Sequence, residues 1–108
     1  MLNKLQHGDA FSVTATHATA AVASKAGATG KTHYITDIAC STDKAGAIIL
    51  VKQGTTTIWQ LQVAATAAGN ISHSHTFASP LKAAADALVS VEIDGTSACK
   101  ANIAGFTV

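Results

Sequence analysis

Between Asn70 and Asp94 the chain alternates twice. Ile71, His73, His75 and Phe77 alternate with Ser72, Ser74 and Thr76, and Val89, Val91 and Ile93 alternate with Ser90, Glu92 and Asp94. Period two marks a strand with one buried face. Ser79-Pro80 between the two is expected to stop the first strand, because proline has no ladder donor and keeps its preceding residue out of the helical region. LKAAADA (81–87) is open to one helical turn or two. The clearest alternation is Thr55 to Ala64, with Trp59, Leu61 and Val63 facing in and Gln60 and Gln62 facing out. Ahead of it, Ala47 to Lys52 is an unbroken apolar run, as expected of a strand covered on both faces, and Gln53-Gly54 is its hairpin turn.

The remaining segments read the same way. His33 to Cys40 predicts a strand with Tyr34, Ile38 and Cys40 on one face, followed by a turn at 41–46. Ala10 to Ala26 alternates weakly, with Phe11 and Val13 on one face; a strand is preferred, although AAVASKA has helix propensity. Asp94-Gly95 predicts a tight turn. Cys99, Ala101 and Ile103 alternate until Gly105 shifts the phase to Phe106 and Val108, which suggests a bulge. Seven to eight short antiparallel strands and no convincing amphipathic helix predict a single-domain all-β sandwich, jelly-roll-like, over residues 10–108. Residues 1–9 read as a polar, irregular arm.

Charged residues are only 12% of the 108, about half the usual share, while alanine and threonine supply 37. A surface so poor in charge favours a chain whose faces are covered by neighbours, and edge strands must be covered to avoid uncontrolled pairing. Seven lysines, no arginine and a net charge of +1 make no cationic patch, so nucleic acid is not an expected partner. No apolar run approaches the ~20 residues of a membrane span, and MLNKLQHGD lacks the apolar core of a signal peptide. The chain therefore reads as soluble and made in the cytoplasm. Cys40 and Cys99 read as two free buried thiols, with a disulfide open because both stand near strand ends.

Candidate chemistry is thin. GATGKT fails as a phosphate loop: two residues separate its glycines where four are needed, and a strand follows. His73 and His75 point to one face of one strand, a workable bidentate metal geometry, and further ligands could come by type from His17, His33 or Asp86. The competing reading makes the pair partly buried side chains or a subunit contact. On a threefold axis, one histidine per subunit would converge. A Ser72 or Ser74, His75, Asp86 triad is opposed by the alternation, which sends serine and histidine to opposite faces. Glu92 and Asp94 read as a solvated strand face, and Trp59 as core. No catalytic residue and no cofactor is expected.

THYITDIACS, TTTIWQLQV, HTFASPLKAAADALVSVEIDG and the closing NIAGFTV resemble small β-sandwich virion proteins of tailed bacteriophages, of the head decoration or cement type. Phe77, Pro80 and Leu81 match that group's aromatic-Pro-Leu passage, and Ile103, Gly105 and Phe106 its hydrophobic-Gly-aromatic end. The resemblance covers residues 31–108. It implies a non-enzymatic jelly-roll-like domain, often trimeric, on the capsid surface of the virion, with the major capsid protein as partner. Interface candidates are Leu2, Leu5 and Phe11 in a docking arm over residues 1–12, and His73 and His75. Two alternatives stand beside it: a phage fibre or host-surface-binding module, and a cupin-like metal-dependent enzyme built on His73 and His75.

Overall fold

The computed structural model describes residues 9–17, 20–63, 71–96 and 98–108. They form eight strands: β1 (Asp9–His17), β2 (Ala20–Lys25), β3 (His33–Thr42), β4 (Ile48–Gln53), β5 (Thr56–Gln62), β6 (Ile71–Lys82), β7 (Val89–Asp94) and β8 (Cys99–Thr107). Among the described residues there is no helix. Asp9 opens β1, so the expected arm begins its strand one residue early, and Leu2 and Leu5 lie outside the described residues.

The strands pair antiparallel in a fixed series: first with eighth, second with seventh, third with sixth, fourth with fifth. β3 also pairs with β8 and β4 with β7, giving two four-stranded sheets, β1-β8-β3-β6 and β2-β7-β4-β5. This is a long antiparallel ribbon rolled on itself, the jelly-roll sandwich. The core lies between the sheets, where Ile35, Ile38, Ile49, Val51, Val89, Val91, Ile93 and Ile103 are buried. Each such aliphatic side chain contributes about 1.5–3 kcal/mol by leaving water. Buried Thr42 is satisfied across the sandwich, its hydroxyl donating to the Asp94 carbonyl.

Several expectations need correction. β6 runs through Pro80 to Lys82. It can do so because β6 is an edge strand and Pro80 has no register partner on β3, so proline's missing donor costs no ladder bond. The ladder nevertheless breaks there: Ile35 and Asp37 of β3 pair with Leu81 and Thr76 of β6, leaving residues 77–80 opposite Thr36 alone. Residues 81–87 contain no helical turn; the strand gives way to a turn at 85–86, with Asp86 at φ 64°.

The bulge sits on β3 and not on β8. Ile35 and Asp37 pair with Gly105 and Ala104, so Thr36 is the extra residue. Gly105 answers it, since a Cβ there would stand 1.9 Å from the Tyr34 carbonyl oxygen. The extra residue also reverses one orientation: Ile35, Ile38 and Cys40 face the core and Tyr34 faces outward.

β4 is covered on one face only. Ile49 and Val51 are buried, while Ile48 is 43% exposed. Its link to β5 is the two-residue turn Gly54-Thr55, with Gly54 at φ 57°. β1 and β2 stand in different sheets, and Asp94-Gly95 is a crossing between sheets, not a hairpin.

Candidate functional site

His73 and His75 lie on the inner face of edge strand β6, where the alternation placed them. The register sets Cys40 behind His73 and Ile38 behind His75. Edge strand β5 of the other sheet brings Trp59 to the same seam. The Trp59 and His75 rings are 5.0 Å apart, Trp59 and Phe77 meet edge-on at 5.3 Å, and His75 and Phe77 meet at 4.7 Å. His73 stacks on His75 at 6.1 Å with planes 19° apart. These rings close the β5–β6 side of the sandwich. Trp59 is thus half-buried against the core.

Among the described residues the seam does not assemble a metal centre. No group of three His, Cys, Asp or Glu side chains able to hold an ion occurs among the described residues. His33 is committed elsewhere: its Nε2 donates to the Ala26 carbonyl at 2.7 Å, so its Nδ1 accepts from the Thr107 hydroxyl at 2.7 Å. The Asp86 carboxylate accepts from the Gly30 amide at 2.5 Å. His17 ends β1 opposite Cys99. Cys40 and Cys99 are free and buried, and desolvation pushes the Cys40 thiol up to about 11 against the pull of a backbone hydrogen bond from Asn102. That thiol keeps its proton at neutral pH. One atom of the seam stands out: His73 Nε2 is buried with no hydrogen-bond partner.

The Ser/His/Asp arrangement is not assembled either. Ser72 and Ser74 are exposed on the outer face of β6, away from His75. Glu92 and Asp94 form ion pairs, with Lys52 at 2.9 Å and Lys44 at 3.7 Å. Phe11 packs on the core, edge-on to His33 at 5.4 Å, with the Lys25 ammonium 5.8 Å from its ring.

The two outer faces of the sandwich differ. On β2-β7-β4-β5, Val22 and Leu50 flank Glu92 in the register, and Ile48 shares the Leu50 face of β4. Val22 is 50% exposed and Ile48 43%. The result is an aliphatic patch whose central carboxylate is neutralised by Lys52 of the same chain.

On β1-β8-β3-β6 the outer face carries short polar side chains in registered rows. Thr16, Lys100, Ser41 and Ser72 make one, Thr14, Asn102, Ala39 and Ser74 the next, and Ser12, Ala104, Asp37 and Thr76 the third. Two adjoining hollows of about 290 Å³ each share Ala39, Ser74 and Asn102 and form one trough along β3. Beyond Asp37 the face continues with Tyr34 and Phe106, stacked at 5.0 Å with planes 10° apart. Sequence reasoning missed this face. The alternating hydroxyls Ser12-Thr14-Thr16 and Ser72-Ser74-Thr76 were the available signal, but their joining across β8 and β3 is long-range.

No protein-family model matches the chain, and no curated protein matches it.

Proposed function

We propose that this chain is a structural virion protein, a decoration or cement protein that sits on the outside of a bacteriophage head and stabilises contacts between major capsid subunits, as a homo-oligomer, by resemblance a trimer. The observation that carries the reading is the aliphatic patch of Val22, Ile48 and Leu50 on an outer sheet face. Apolar side chains grouped around a charge already neutralised within the chain suit a protein interface, because docking there leaves no carboxylate unpaired. The jelly roll is an architecture used in viral capsid domains, a likeness of fold and not of function. An interface of about 1,600 Å² in total would be ordinary for the role.

The test is rebinding. Purified protein is expected to sediment as an oligomer and to bind heads stripped of it. Val22→Lys and Ile48→Lys, both on exposed positions and the first opposite Glu92, should keep the melting temperature and lose head binding. A stable monomer with no affinity for heads refutes the proposal.

A further inference from the structure

We propose that the trough on the outer face of β1-β8-β3-β6 is a carbohydrate-binding site for an acidic oligosaccharide. The proposal does not rest on the capsid reading. The trough and the aliphatic patch lie on opposite faces of the sandwich, so both can be occupied at once.

Asp37 anchors the trough. Thr76 donates to its Oδ1 at 2.7 Å and Thr36 to its Oδ2 at 2.8 Å. A carboxylate has about four acceptor sites, so the two threonines fix its plane and leave an acceptor on each oxygen. Two parallel acceptors held on a strand match two neighbouring hydroxyls of one sugar ring. Asn102 stands one row away, its amide in mutual 3.3 Å contact with the Ser12 hydroxyl, and it retains a donor and an acceptor. The hydroxyls of Thr14, Ser41 and Ser74 line the trough, so a polyhydroxylated ligand can replace the water on them.

Lys100 closes the far end. It pairs with Ser41 and Ala104 pairs with Asp37, a separation of four residues. At ~3.3 Å per residue the backbone positions that carry the ammonium and the carboxylate are about 13 Å apart along the trough, room for a short oligosaccharide with an acidic group at the Lys100 end. The floor between is Ala39. Its lack of aliphatic bulk disfavours an apolar peptide or lipid, and one lysine is too little charge for nucleic acid. At the Asp37 end, the Tyr34–Phe106 pair supplies an apolar ledge for the C–H face of a ring.

The probe is a hyaluronan tetrasaccharide, with maltotetraose and a tetraglutamate peptide beside it, titrated into ¹⁵N-labelled full-length protein and followed by amide shifts. Hyaluronan is expected to move Asp37, Ala39, Ser74, Asn102 and Lys100. Asp37→Ala and Asn102→Ala should each weaken binding about tenfold, and Lys100→Ala should remove the preference for hyaluronan over maltotetraose. Ala39→Arg, on an exposed position, should fill the trough and abolish binding with the melting temperature kept. No shift with either sugar at millimolar concentration, shifts outside the trough, sugar binding indifferent to Ala39→Arg, or binding of the peptide alone would each overturn the proposal.

Discussion

His73→Phe should stabilise the protein. In the folded chain His73 Nε2 is buried and bonded to nothing, whereas in the unfolded chain water satisfies it. Leaving such a group unpaired costs about 1–3 kcal/mol. Phenylalanine keeps a planar ring to stack on His75, whose centroid is 6.1 Å away, and removes the stranded nitrogen. The slightly larger ring gives back part of the gain through crowding against Cys40. The net is about 1 kcal/mol, a rise in melting temperature of roughly 4 °C for a domain of this size. His75→Phe is the control: no nitrogen of His75 is buried without a partner, and the change should stay within about 0.5 kcal/mol. The assay is urea unfolding at pH 8 followed by the emission of Trp59, the only tryptophan, which lies 5.0 Å from His75. The midpoint should rise with an unchanged slope. If His73→Phe instead costs more than about 1 kcal/mol, Nε2 has a partner in solution, a metal or a second subunit, and the seam is a binding site or a subunit contact.

Gly105→Ala should destabilise by about 2–4 kcal/mol, because its Cβ would meet the Tyr34 carbonyl at 1.9 Å within a paired ladder; Gly54→Ala, with open space but φ +57°, should cost nearer 1 kcal/mol by thermal melting. Neither cysteine should react with a thiol reagent at pH 8 until urea is added, when both should. With Cys40 raised from 9.0 to about 11, its contribution to stability is full below pH 9 and is lost as pH climbs from 9 through 11, so melts across that window should decline and the decline should vanish in Cys40→Ala. Lys52→Ala should cost about 0.5–1 kcal/mol, since it is partly shielded beside Glu92, and Lys44→Ala close to nothing, the difference shrinking in high salt.

What the chain's pattern could reveal depended on how local the cause was. Strands β5, β6 and β7 announce themselves because one face of each is buried, and alternation is the direct result. The His73/His75 pairing follows from period two alone, and so does its separation from Ser72 and Ser74. β4 misled because Ile48-Ile49-Leu50-Val51 is apolar at every position, and such a run does not say whether its second face is covered by the chain or left open. Pro80 misled because its penalty depends on whether a neighbour needs the missing donor, and Pro80 has no register partner on β3. The trough was hidden for a different reason. Its polar groups come from β1, β3, β6 and β8, and only the rolled pairing brings Thr14, Asn102, Ala39 and Ser74 into one row.

The inner and outer faces of β3 both trace to one extra residue. From buried Ile35, strict alternation would turn Asp37, Ala39 and Ser41 into the core and Ile38 and Cys40 out to water. That arrangement would bury an unpaired carboxylate at a cost of several kcal/mol and strip the core of an isoleucine. Thr36 reverses the phase, and its hydroxyl then donates to the Asp37 carboxylate that the reversal has turned outward. Neighbouring strands must accommodate the step. β8 does so with Gly105, which lets the Tyr34 carbonyl approach, and β6 by looping residues 77–80 past a single partner residue. The Pro80 corner, the glycine near the C-terminus and the outward Tyr34 are therefore one structural event seen on three strands. The bulge is what gives β3 a sealed inner face and a polar outer one, and the trough exists on the outer face because of it.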